Sequence, residues 1–189
     1  LMLVGLILFI GMHSVRIVAD DWRTRTLTGL GEIPWKAIYS LVSLAGLVLL
    51  VVGYGQARVA MAPLWFPPAW LYHLVAALMI PAFILLAAAY GPDNHIRRAV
   101  GHPMVLAVKI WALSHLLVNG RLADLILFGA FLAWAVMLFR ASRRRPAGTA
   151  DAPVSAIATL ATVLVGLAAY GVFAIYLHHP LIGVRVIGG

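Results

Sequence analysis

Few ionisable side chains fall within apolar sequence: His13, Arg16, His73, Lys109, His115 and the His178-His179 pair. Such groups are costly at membrane depth and are functional candidates by default. His13 and His115 sit well inside apolar runs. Neutral imidazole is the commonest side-chain metal ligand and a ligand of haem iron. The chain has no cysteine. That excludes thiolate-ligated haem, Fe–S clusters, covalent c-type haem and cysteine nucleophiles. A His–His pair is then the cofactor clamp these residue types can build. Arg16 is one turn from His13, and Lys109 lies six residues before His115. Both are candidates to pair with the propionates of a haem held between the helices. The structural alternatives stand beside this reading. A membrane histidine can simply hydrogen-bond a neighbouring helix, and Arg16 and Lys109 can snorkel to the surface. His73 lies near an interface, and His178 and His179 precede Pro180 at a helix end, so the structural reading is stronger for these three.

The second polar cluster runs from Gly91 to Arg98 and continues through Gly101-His102-Pro103. Arg97, Arg98 and His102 are candidates to bind a phosphate or carboxylate. Asp93, His95 and His102 are candidates for zinc, but their spacing fits no standard pattern. By spacing alone a solvated basic loop is the better reading, with His102-Pro103 opening a helix. No Gly-rich phosphate loop, HExxH or G-x-S-x-G elbow occurs. Six acidic residues leave little for carboxylate catalysis, and Asp124, at the start of an apolar segment, is the one closest to a span core.

The elements that must position these residues are membrane helices. Hydrophobic residues make up 63% and charged residues 11%, with mean hydropathy +1.00. A soluble domain would carry about a quarter charged residues. The net charge of +8 reads as basic loops on one face of a bilayer rather than a nucleic-acid surface. The expected fold is all-α, a polytopic bundle of about six spans in a single domain over 1–189. The spans are expected near 1–19, 36–55, 69–90, 103–119, 122–140 and 155–178, with a tight hairpin at Asn119-Gly120-Arg121. Most prolines fall at span boundaries, and Pro81 inside the third is expected to kink it. Trp35, Tyr39, Trp65, Phe66, Trp70, Tyr72 and Tyr90 form an aromatic belt.

Leu1–Val18 has no basic n-region and no small-residue cleavage site, and it carries His13 and Arg16, so it reads as a retained span. Arg23, Arg25, Lys36, Arg97, Arg98, Arg140, Arg143, Arg144 and Arg145 fall on one side, against Arg58, Arg121 and Arg185 on the other. The basic side is expected to face the cytoplasm, with both termini periplasmic in a bacterial inner membrane. Residues 146–153 read as a cytoplasmic linker. Counted from the basic side, His13 lies at a depth of about 9 Å and His115 of about 18 Å. Ligands of one iron need similar depths. If tilt cannot reconcile the two, His73 becomes the rival partner of His115.

Gly11-Met12-His13-Ser14, then Gly101-His102-Pro103-Met104 through Lys109-Ile110-Trp111-Ala112-Leu113-Ser114-His115 to Asn119-Gly120, resemble the NnrU family. The resemblance covers essentially the whole chain, and the GHP-to-NG stretch is its specific part. It implies an association with nitrite and nitric oxide metabolism. The related zeta-carotene isomerases share a His-Ser in an early span and an HP segment followed by Trp-x-x-x-His. That likeness implies haem b held by His13 and His115. The isomerases carry a cysteine, implicated in a redox-linked ligand switch, where this chain has Ala112, so the switch is not implied here.

The leading expectation is a haem b-binding membrane protein of nitrogen-oxide metabolism, with the lipid bilayer and haem as partners and no nucleic acid. Enzymatic action is open. Alternatives are a haem-dependent cis-trans isomerase of a polyene, which adds a lipophilic substrate, and a non-catalytic assembly protein. A methyltransferase resembling the isoprenylcysteine carboxyl methyltransferases ranks low, because no acidic-aromatic cofactor segment follows the last span.

Overall fold

The computed structural model describes residues 1–143 and 154–186. Arg144, Arg145 and the 146–153 linker expected from sequence lie outside the described residues. Nine α-helices follow in order among them: α1 (Met2–Val18), α2 (Asp20–Leu30), α3 (Glu32–Ala60), α4 (Ala69–Tyr90), α5 (His95–Val100), α6 (Pro103–Val118), α7 (Leu122–Arg143), α8 (Ala156–Val172) and α9 (His178–Ile182). A single π-helical turn, Phe173–Leu177, joins α8 to α9. The one β feature among the described residues is an isolated bridge between Pro63 and Arg121. The expected helical membrane bundle is the fold.

Four helical segments are long and apolar enough to cross a bilayer: α3, α4, α7, and α8 continued to Ile182. The pair α1 and α2 can supply a fifth, though α2 turns away from α1 by 99°. The expected fourth span, α6, has 16 residues. At 1.5 Å per residue it is about 24 Å long, short of a hydrocarbon core of about 30 Å. The helices carrying His13 and His115, α1 and α6, have 17 and 16 residues.

Side by side, the helices run α3, α1, α7, α6, α4, α8, with a further contact between α3 and α7. Lipid offers no hydrophobic drive between helices, so close packing must hold them, and small residues make it possible. A Cβ on Gly5 would lie 2.3 Å from the Leu50 nitrogen, one on Gly46 2.7 Å from the Phe9 nitrogen, and one on Gly53 2.1 Å from the Met2 nitrogen. These three contacts run antiparallel along the α1–α3 seam. Gly166 does the same for α8 against Ile84 of α4, at 2.6 Å.

The connections hold helices where the sequence suggested loops. Asp20 and Asp21 open α2, where carboxylates complement the helix dipole. Asn94 caps α5 by accepting from the Arg97 amide at 2.8 Å and is 1% exposed. α4 runs unbroken through Pro81. The hairpin at Asn119-Gly120-Arg121 forms as expected, and Gly120 lies under the Trp65 carbonyl, where no side chain fits. Phe66, Trp70, Tyr72 and Tyr90 are exposed, as belt residues should be. Trp35 is instead buried, edge-on to Trp22 at 5.9 Å.

Candidate functional site

His13 sits in the last turns of α1, where the chain is apolar before Arg16. Its Nδ1 lies 2.7 Å from the Phe9 carbonyl one turn back. His115 repeats this in α6, with Nδ1 2.8 Å from the Trp111 carbonyl. A carbonyl oxygen only accepts, so Nδ1 donates its proton in both, which in the neutral imidazole leaves the lone pair on Nε2. Metal-ligating imidazoles are commonly oriented in this way, by a donated bond from the other nitrogen.

Aromatic rings surround both. His13 stacks on Phe9 at 4.3 Å and meets Tyr39 at 5.4 Å and the edge of Trp134 at 6.1 Å. His115 meets Phe128 at 4.9 Å and Trp111 at 5.4 Å. Phe131 joins the two groups, lying 5.9 Å from Phe9 and 5.5 Å from Trp111. The Trp134 side chain is 6% exposed, and its Nε1–H has no acceptor. The Ser114 hydroxyl beside His115 is likewise buried and unpartnered.

The register of α7 gives the depth of each imidazole. α1 runs parallel to α7, with Phe9 against Phe131 and His13 against Trp134. α6 runs antiparallel, with His102 against Phe139 and His115 against Phe128. Six α7 residues separate Trp134 from Phe128, which is an axial offset of about 9 Å. The depth mismatch seen in the sequence is therefore present in the packed bundle. Phe9, Phe131 and Trp111 link the two imidazoles through successive ring contacts. The donor chemistry of each histidine suits haem iron.

The other sequence candidates disperse. His73 is exposed near the start of α4, and Arg16 is exposed one turn beyond His13. Lys109 snorkels: its ammonium lies 4.7 Å from the centre of the Phe139 ring, toward the basic end and away from His115. Arg97 spends its guanidinium on structure. It donates to the Ala88 carbonyl at 3.0 Å and to the Ala89 carbonyl, and it pairs with Asp93 at 3.2 Å. These bonds satisfy the otherwise open C-terminal carbonyls of α4. Arg98 flanks it on α5. The expected solvated loop is thus a folded clasp. Asp93, His95 and His102 do not converge: His95 pairs with Thr159 at 2.8 Å, and His102 stands on Phe139. Among the described residues no three metal-ligating side chains gather. His178 donates from Nδ1 to the Val184 carbonyl at 2.8 Å, just after the π-helical turn. His179 is exposed.

One cluster was understated by sequence reasoning. Asp124 is 2% exposed, with Tyr54 donating to one oxygen at 2.6 Å and the Arg121 amide to the other at 3.0 Å. The Arg121 guanidinium donates to the Met61 carbonyl at 3.0 Å and to that of Arg58. The cluster ties α3 to α7 beside Phe128, the ring that meets His115. The signal in the sequence was a lone carboxylate in an apolar segment. Its partner lies 70 residues away and carries no local mark.

The sequence matches the NnrU protein family over residues 1–186. The chain belongs to the NnrU family. No curated protein and no solved structure matches it. Within this family member, the GHP-to-NG stretch that carried the resemblance builds α6 and its turn, and places His115 against α7.

Proposed function

We propose that this NnrU family protein binds haem b in the membrane through His13 and His115 and serves nitrite and nitric oxide metabolism. One observation carries the reading. Both histidines donate Nδ1–H to the carbonyl one turn back and keep Nε2 as a free donor atom in aromatic surroundings. The unpartnered Trp134 N–H beside His13 adds a buried donor with nothing to bond. Such a group costs free energy unless something accepts from it. Bound haem would supply an iron centre for redox or ligand-binding chemistry. The chain's own part is to fix the imidazole tautomers and exclude water with Phe9, Phe128, Phe131 and the two tryptophans.

The test is the absorption spectrum of protein purified from haem-replete cells, wild type beside His13→Ala and His115→Ala. A Soret band that is lost or shifted in at least one variant supports the proposal. Colourless wild-type protein, or an unchanged band in both variants, refutes it.

A further inference from the structure

Three basic side chains converge on one phenyl ring at the basic end of the bundle. The Lys109 ammonium lies 4.7 Å from the Phe139 centroid and the Arg143 guanidinium carbon 5.8 Å from it. The His102 ring meets Phe139 edge-on at 6.2 Å. They come from the middle of α6, the end of α7 and the residue capping α6. Neither Lys109 nor Arg143 joins the ion pairs Lys36–Glu32 and Arg97–Asp93. His102 also lines a cleft of about 290 Å³ with Tyr90, Arg97, Pro103 and Met104.

Two cations share one ring, and an exposed cation–π contact compensates a cation only weakly. Lys109 starts from an apolar stretch of α6 and reaches along the helix to join Arg143. The ring it reaches, Phe139, lies one turn before Arg143 at the C-terminal end of α7. Basic pockets between membrane helices on this side suit anionic lipid headgroups. We propose that Lys109, Arg143 and His102 bind the phosphate of an anionic phospholipid, with Phe139 as the apolar floor. The site is independent of any haem at His13 or His115.

Native mass spectrometry of the full chain, titrated with phosphatidylglycerol or phosphatidylcholine in detergent, tests this. Phosphatidylglycerol is expected to be retained in preference. In the double variant Lys109→Gln/Arg143→Gln, its affinity is expected to fall about 30-fold, from about 1 kcal/mol per basic residue. Lys109→Arg should retain binding, which separates loss of charge from misfolding. Lys36→Gln, on the same side but paired with Glu32, should leave affinity unchanged. Equal binding of the two lipids, or an unchanged affinity in the double variant, overturns the proposal. Displacement of phosphatidylglycerol by an equal concentration of inorganic phosphate would assign the site to a free phosphate and overturn the lipid assignment.

Discussion

Gly5→Ala and Gly11→Ala make a matched pair on one helix. Helix propensity favours both, by about 1 kcal/mol each. The packing separates them. A Cβ at Gly11 meets nothing within 4 Å. A Cβ at Gly5 falls 2.3 Å from the Leu50 nitrogen, 2.7 Å from its Cα and 2.8 Å from the Gly46 carbonyl oxygen. All three are backbone atoms and have no rotamer to change. Ordinary contact needs about 3.5 Å, so α1 and α3 must part by about 1 Å. Parting them loosens the neighbouring contacts of Gly46 and Gly53 as well. Overpacking of this kind costs about 1–3 kcal/mol, and the lost dispersion along the seam adds to it. The propensity gain is the smaller term, so Gly5→Ala should be net destabilising by about 1–2 kcal/mol. Gly11→Ala should be neutral or stabilising. Thermal unfolding in detergent, followed by circular dichroism, reads both against wild type. If Gly5→Ala melts no lower than Gly11→Ala, the glycine seam does not set the position of α1.

Tyr54→Phe removes the 2.6 Å bond to the buried Asp124 carboxyl and should cost about 1.5–3 kcal/mol, the range for hydrogen bonds to charged groups. A melting temperature equal to wild type would show that Asp124 needs no such partner. Trp134→Phe deletes a buried N–H that has no acceptor and should leave the stability of haem-free protein within about 1 kcal/mol of wild type. If the same variant retains haem as fully as wild type does, Trp134 donates to nothing in the bound state.

The all-helical membrane fold was legible because a continuous apolar run of about 20 residues has few other uses. The hairpin at Asn119-Gly120-Arg121 was legible for the same kind of reason, since its turn residues are local. The short polar helices α2 and α5 were not, because their helicity rests on Asp20 and Asp21 at one start and on the Asn94 cap at the other. Arg97 read as a ligand for anions because nothing in sequence shows that the α4 carbonyls of Ala88 and Ala89 come within its reach. His13 and His115 were singled out by the cost of burying them. Their stagger was visible as a depth estimate, but the ring contacts of Phe9, Phe131 and Trp111 that link them depend on the register of three helices on one another. Tyr54 and Asp124 needed the same tertiary information.

The central claim is that His13 and His115 are the imidazole donors for haem b. The absorption spectrum of the purified protein and of its two alanine variants, oxidised and reduced, tests it most directly. A Soret band in the wild type that is abolished or shifted by His13→Ala or His115→Ala is the expected result. Wild-type protein without a Soret band after expression with ample haem, or two variants with unaltered spectra, would contradict it.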